Sequence, residues 1–261
     1  MNIVTLNVKG LRGEFKRKNM FRKMKNLYGD SIIFLQETHS LQADEEIWKQ
    51  DWGGDIIFDH HKNDSCGVCI LFPCGFYYKT KQVIKGENGR LLINEISFNE
   101  DTFVLCNIYA PTKSNESDQC RFLDTLIDKL EAFKAENIVV GGDFNITLNP
   151  VLDKNGGAAE KNSNYRNKLL NFIEDFQLND IWRTKHPTTK QYTWLSSDNK
   201  IKSRLDFWLI SEFLVPQVSK VTISCNIMSD HRNVSLSMQG NLFQKRGPGF
   251  WKFNNSLLYF I

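Results

Sequence analysis

An α/β sandwich with largely antiparallel strands is the architecture this 261-residue chain predicts. Three observations carry it. Apolar runs of strand length recur through the chain, amphipathic helical stretches are interleaved with them, and many strands follow one another across short turns. A doubly wound parallel sheet needs a long crossover between neighbouring strands, so the short turns favour antiparallel pairing.

Residues 3–8 alternate apolar and polar side chains and read as a first strand ending at Asn7-Val8-Lys9-Gly10. Met20, Phe21, Met24, Leu27 and Tyr28 then fall at helical spacing, with Lys16, Arg17, Arg22, Lys23 and Lys25 mostly off that stripe. Gly29-Asp30 stops the helix, and 31–35 is a buried strand leading into Gln36-Glu37-Thr38-His39. Further strands are expected over 55–58, 67–72, 91–97 and 102–109, the last broken at Pro111, where a central ladder loses a donor. Residues 117–136 form the clearest helix, with Phe122, Leu123, Leu126, Leu130 and Phe133 on one face. The strand Ile138-Val139-Val140 follows and stops at Gly141-Gly142, which would let the chain turn tightly and aim Asp143 and Asn145 at one site. After a polar, Gly-rich loop over 153–158, Leu169, Leu170, Ile173 and Phe176 mark another helix. Strands are then expected over 192–195, 204–210, 218–224 and 233–238, with Ser196-Ser197-Asp198-Asn199 as a hairpin tip between the first two.

Composition narrows the function classes. Hydrophobic residues make up 41% and charged residues 24%, no apolar run approaches the roughly 20 residues that cross a bilayer, and no secretory signal is seen, so no membrane association or secretion is expected. The net charge of +3 names no partner, but residues 9–25 hold eight Lys or Arg against the single acid Glu14. Six cysteines are present; Cys66 and Cys69 have half the spacing of a zinc site without a second pair, so free thiols in a reducing compartment are expected. Arg246-Gly247-Pro248-Gly249 is the one convincing boundary, and the aromatic run beyond it suggests a fragment lacking its packing partner.

Polar residues gather at the strand ends. Asn7 closes the first strand, Glu37 the second and Tyr109 the 102–109 strand; Asp143 and Asn145 close the next, and Asp230-His231 follow the 218–224 strand. Asp206 sits among Leu205, Phe207 and Trp208, where a carboxylate is costly to bury without a donor, and His231 is its natural partner. Singly, each has a structural reading: a cap, a turn, a solvated loop residue or a half-buried aromatic. His39, His60, His61 and His186 are assigned to that class, since none has a second ligand at metal spacing. Together the set suits phosphodiester hydrolysis. Glu37 and Asp230 offer hard oxygen ligands for Mg²⁺. Asp143 with Asn145 can position and deprotonate water. His231, oriented by Asp206, can donate to the phosphoryl charge, while Asn7 and Tyr109 hold the phosphate or leaving group.

LNVKGLR (6–12), FLQETH (34–39), NIYAP (107–111), GGDFN (141–145), SRLDF (203–207) and SDHR (229–232) resemble, in order, the motifs of the exonuclease-endonuclease-phosphatase superfamily. The resemblance implies a four-layer sandwich of two mostly antiparallel sheets flanked by helices, Mg²⁺ dependence, and the roles above. Lys9 departs from some abasic-site relatives, which carry an acid there, and this implies one metal ion rather than two.

RGPGFWKFNNSLL (246–258) further resembles the segment after the endonuclease domain in LINE-type (non-LTR) retrotransposon polyproteins. That implies an endonuclease domain over 1–240 and a linker over 241–261 leading towards a reverse transcriptase. The implied activity is nicking one strand of double-stranded DNA to leave a 3′-hydroxyl that primes reverse transcription, in the nucleus after synthesis in the cytoplasm. Thr193, Ser203 and the hairpin over 196–202 would then lie against DNA, with Arg12 and Lys154 as phosphate contacts. Where abasic-site nucleases often place an aromatic before Arg-Leu-Asp, this chain has Ser203, which argues against the alternative of an abasic-site repair endonuclease. A catalytically inactive DNA-binding or scaffold module and an inositol or lipid phosphatase are the remaining alternatives.

Overall fold

The computed structural model describes residues 1–61, 65–86, 88–133, 136–225 and 228–239; the expectations for 241–261 lie outside them. In chain order the strands and helices are β1 Asn2–Asn7, α1 Glu14–Tyr28, β2 Ser31–Gln36, α2 Glu45–Trp52, β3 Ile56–Asp59, β4 Val68–Leu71, β5 Lys79–Lys85, β6 Leu91–Phe98, β7 Asp101–Tyr109, α3 Glu116–Leu130, β8 Asn137–Asp143, α4 Pro150–Asp153, β9 Lys154–Asn155, α5 Ser163–Asp175, β10 Leu178–Asp180, α6 Ile181–Lys185, β11 Trp194–Leu195, β12 Lys202–Ser203, β13 Asp206–Ser211, β14 Val218–Ser224 and β15 Asn233–Met238.

One sheet runs β14-β15-β1-β2-β4-β3 and the other β10-β13-β8-β7-β6-β5. Among the described residues each sheet has a single parallel pair, β1 with β2 and β7 with β8, and its other pairs are antiparallel. The parallel pairs are where helices are needed, and α1 and α3 supply the two crossovers. The expected mostly antiparallel sandwich with flanking helices is therefore what the chain forms.

Both central pairs are buried on both faces, so their sequences read as nearly continuous apolar runs. The period of two sorts them. Ile3, Ile32, Phe34, Phe103, Leu105, Val139, Trp208 and Ile210 meet in the core between the sheets. Val4, Leu6, Ile33 and Leu35 face outward onto Met20, Phe21 and Met24 of α1 and onto Trp48 and Trp52 of α2. Val104, Cys106, Val140 and Leu209 face the other way onto Leu123, Leu126 and Leu130 of α3 and onto Leu169 and Phe172 of α5. By the same alternation Asn7, Gln36, Asn107, Tyr109, Asp143 and Asp206 belong to the inner faces.

Several elements were not expected from sequence. Strand β5 (KTKQVIK) is almost wholly exposed and lies at a sheet edge, so it lacks an apolar period. Helices α2 and α6 are 8 and 5 residues long, too short for a convincing stripe. The strand expected over 192–195 contracts to β11, which joins β12 and β9 in a small third sheet. All six cysteines are free; Cys69 and Cys106 are buried, and Cys74 and Cys225 are exposed. Among the described residues no helix is long and apolar enough to cross a membrane.

The glycine pair has a different purpose from the expected turn. Gly141 and Gly142 lie inside β8, paired with Trp208 and Phe207 of β13. A Cβ on Gly141 would come within 2.1 Å of the Trp208 ring, and one on Gly142, whose φ is +143°, within 2.0 Å of the Ile108 carbonyl oxygen. The absent side chains make room for an indole at the sheet interface, and its Nε1–H crosses to the Val234 carbonyl at 3.0 Å. Gly141→Ala should therefore overpack the core and lower unfolding free energy by about 1–3 kcal/mol in urea titrations. An unchanged midpoint would show that the tryptophan can move aside.

Candidate active site

The C-terminal ends of β1, β2, β7 and β8 share one rim, because the strands of each parallel pair run in the same direction. The antiparallel neighbours bring their starts to it: Asp206 at the head of β13 lies opposite Asp143, and the 229–232 segment enters β15 beside β1. Residues far apart in sequence thus meet because of strand direction.

Asn7 is the hub. Its Nδ2 donates to Glu37 Oε1 at 2.8 Å and to Asp143 Oδ2 at 3.0 Å, while its Oδ1 accepts the Lys9 main-chain N–H at 3.1 Å. Ser229 Oγ donates to the Asn7 carbonyl at 2.6 Å and accepts the His231 main-chain N–H at 3.1 Å, which ties the 229–232 segment to β1. The loops after β1 and β2 are zipped together by main-chain bonds from Gly10 to Glu37 and from Leu11 to Thr38. Lys9, Glu37, His39 and Asn145 all take positive φ, between 49° and 56°, so the rim holds four non-glycine residues in the left-handed region.

Asp143, Asp206 and His231 are all buried, and one donor atom from each lies within 4.8 Å of the others. That spacing would suit a metal by distance alone. The hydrogen bonding points elsewhere, since His231 Nδ1 is 2.8 Å from Asp206 Oδ2 and 3.1 Å from Oδ1, a contact that needs a proton on that nitrogen. His231 Nε2 then points towards Asp143, 3.9 Å from Oδ2. Burial by itself would lower the imidazole pKa, but Asp206, with further help from Asp143 and Asp230, outweighs it and raises it to about 9. Burial and the neighbouring Asp206 charge push the Asp143 carboxyl up to about 7, against the opposing pull of His231, Asn7 and the Asn145 N–H. The rim thus pairs a cationic imidazole with a carboxyl whose proton affinity lies near neutrality.

The residues expected to bind metal are placed separately. Glu37 accepts from Asn7, and its Oε2 is 3.8 Å from His39 Nε2. Asp230 Oδ2 accepts from the Lys9 ammonium at 2.9 Å, while its Oδ1 is buried without a hydrogen-bond partner among the described residues. Burial would raise the Asp230 pKa, but the Lys9 hydrogen bond, with His231 and the Lys9 charge, holds it below the usual carboxylate value. An orphaned carboxylate oxygen is what a hard cation would satisfy, so these donors fit a divalent ion. Tyr109, under the Arg90 guanidinium at 4.6 Å, is kept protonated by burial and by the Glu37 and Asp143 charges.

Asn145 joins the site through its backbone. Its N–H donates to Asp143 Oδ1 at 2.9 Å, and its Nδ2 gives one hydrogen to the Ala110 carbonyl at 2.8 Å, tying β8 to the end of β7. Thr193 and Ser203, expected on the DNA-facing surface, are buried. The Thr193 hydroxyl accepts the N–H groups of Leu205 and Asp206 at 2.9 and 3.0 Å, so it sets the entry of β13 rather than facing solvent. The exposed part of that hairpin is Ser197, Asp198, Asn199 and Lys200. Arg12 is exposed and 3.3 Å from Asp44, and the Lys154 ammonium donates to the Ala158 carbonyl.

His39, assigned a structural role from sequence, also lies at the rim, as do Arg90 and Ser229, which the sequence did not single out. Two buried clamps behind the rim were also missed. Asn107 donates across the sheets to the Leu35 and Cys69 carbonyls at 3.0 and 2.8 Å and accepts from Gln36 at 2.7 Å. Arg204, one residue before Leu205-Asp206, is buried against Asp153 and Asp180 at 2.6–3.2 Å. Polar residues within or next to apolar runs, at 36, 107 and 204, were the available signal.

Comparison with known proteins follows the same line. Residues 4–231 match the model of the Endonuclease/Exonuclease/phosphatase family. The chain is 35% identical over 263 aligned residues to the Transposon TX1 uncharacterized 149 kDa protein of Xenopus laevis, covering 99% of this chain but only 19% of that protein's length. It is 24% identical to an exodeoxyribonuclease of Bacillus subtilis, covering 90% of this chain and 98% of the other. The APE2 catalytic domain of Xenopus laevis shares the fold, with a TM-score of 0.76 at 21% identity and 92% coverage of both chains.

The raised Asp143 pKa sets a direction for stability. Below the unfolded value of 3.8 the carboxyl is protonated in both states and adds no penalty; the penalty grows as pH rises and is full above about 7. In chelator at pH 8, Asp143→Asn should melt at a higher temperature than the parent, with the gap closing below pH 4. Equal or lower melting at pH 8 in scanning fluorimetry would contradict a destabilising carboxylate.

Proposed function

The chain belongs to the Endonuclease/Exonuclease/phosphatase family, and on that premise we propose that it is a DNA endonuclease that nicks one strand of a duplex and leaves a 3′-hydroxyl. The observation that carries the reading is the continuous hydrogen-bonded set from Glu37 through Asn7 and Asp143, with the Asp206–His231 pair facing Asp143. In this reading a water attacks phosphorus and passes its proton to Asp143, whose carboxyl is poised for transfer near neutral pH. The Asn7 and Asn145 N–H donors hold that carboxylate in one orientation. The His231 Nε2–H, fixed by Asp206, donates to a phosphoryl oxygen as charge builds on it. The P–O3′ bond breaks as the P–O bond to water forms, and the 3′-oxygen takes a proton from solvent. Tyr109, still protonated, can donate to the phosphate or to that oxygen.

Glu37 and the free Oδ1 of Asp230 would hold Mg²⁺, which supplies charge neutralisation at the phosphoryl and leaving oxygens. Arg12, Lys154 and the exposed hairpin tip are the proposed DNA contacts, with buried Thr193 and Ser203 shaping the hairpin base. The likeness to the transposon TX1 protein supports the choice of substrate: target DNA in the nucleus, cut so that the new 3′-end primes reverse transcription. It also supports a covalent link to a reverse transcriptase in a longer polyprotein.

Relaxation of supercoiled plasmid in Mg²⁺ tests the reading. Nicking should vanish in chelator and fall about 10²–10⁴-fold in Asp143→Ala and in His231→Ala; undiminished nicking in both variants would remove the proposed site. Substrate preference is a separate measurement. Undamaged and abasic duplexes should be cut at comparable rates, and strong preference for the abasic duplex would replace target nicking with a repair activity.

A further inference from the structure

Asp230 is shared unequally between two demands. Its Oδ2 carries the Lys9 ammonium at 2.9 Å, and its Oδ1 is buried with no hydrogen-bond partner among the described residues. The main chain around Lys9 is held on both sides: its N–H goes to Asn7 Oδ1, and its carbonyl accepts from the Lys16 ammonium at 2.9 Å. The Lys9 side chain is different, being 63% exposed against 33% for Asp230. The backbone is therefore pinned at the site, with φ at 49°, while the ammonium is free to swing into solvent. The Lys16 ammonium gives two of its three hydrogens to the Val8 and Lys9 carbonyls, at 2.7 and 2.9 Å, so it is anchored to the main chain rather than to Asp230.

We propose that Lys9 is a resident counter-cation of the metal site, which a divalent ion must displace from Asp230 in order to bind. This rests on the reading of Glu37 and Asp230 as the metal pair. An ammonium on one oxygen of a ligand carboxylate occupies part of its coordinating capacity and repels an arriving dication. With the Lys9 side chain mostly in solvent the ion pair is weak and salt-screened, so displacement is feasible and its cost is electrostatic. Lys9 therefore sets metal affinity below what the two carboxylates alone would give, and it keeps the Asp230 charge neutralised while no divalent ion is bound.

Mn²⁺ binding to the protein without nucleic acid, followed by electron paramagnetic resonance of the free ion, tests this. Lys9→Met keeps the side-chain length and removes the charge, and should tighten Mn²⁺ binding about 2- to 5-fold. Lys9→Arg should bind like the parent. The gap between parent and Lys9→Met should shrink as salt is raised. Unchanged or weaker binding by Lys9→Met, or a gap insensitive to salt, overturns the inference. If Glu37→Gln still abolishes parent binding in that case, the metal pair itself stands. Absence of Mn²⁺ binding in both parent and Lys9→Met overturns the inference and the metal pair together.

Discussion

One carboxamide holds the rim together. An amide nitrogen carries two hydrogens, and Asn7 gives one to Glu37 in its own sheet and the other to Asp143 in the facing sheet. This contact makes the end of a sandwich into a single site, since a shift of one sheet against the other would break it. Its geometry is set deeper in the fold. Asn107 pins β7 to the carbonyls of β2 and β4, Trp208 reaches Val234, and apolar inner faces fill the space between. A register slip of one residue would turn Asn7 and Asp143 away from each other and bring apolar outer residues to the rim.

The same rim is where local stability is given up for chemistry. Asp143 and Asp206 are directly opposed in the β8–β13 ladder, an arrangement of like charges that a sheet normally avoids. A protonated His231 facing both carboxylates relieves it, and burial opposes that charge. Four left-handed non-glycine residues and an unpaired buried oxygen on Asp230 add to the strain. Such local violations of good packing gather where a protein acts. The surrounding core is closely packed, and the buried Arg204–Asp153–Asp180 cluster keeps the start of β13 from relaxing away from the site.

The residues that could be read in advance share one property. Asn7, Glu37, Tyr109 and Asp143 each end an apolar run long enough to be a strand, and a polar side chain there must meet a partner or solvent. Asp206 betrays itself as a carboxylate among buried apolar neighbours. Thr193 and Ser203, placed against DNA by resemblance, are buried, because the Thr193 hydroxyl holds the main chain entering β13 and Ser203 belongs to β12 of the third sheet. Gly141-Gly142 suggested a turn because local sequence cannot reveal an indole packing from a strand more than sixty residues on. Strand β5 was invisible because an exposed edge needs no apolar period.

By itself the sequence determined the alternation of buried strands and amphipathic helices, and hence a sandwich, together with the chemistry available at its strand ends. Those follow from local periodicity and from the cost of burying polar groups. Tertiary structure alone decided which ends meet. The Lys9–Asp230 ion pair spans 221 positions and the Asn7–Asp143 bond 136, and neither separation leaves a local trace. It also decided that Asn145 reaches Asp143 through its main chain, and that one oxygen of Asp230 has no hydrogen-bond partner among the described residues. Strand direction and register set these distances, and both are properties of the assembled sheets.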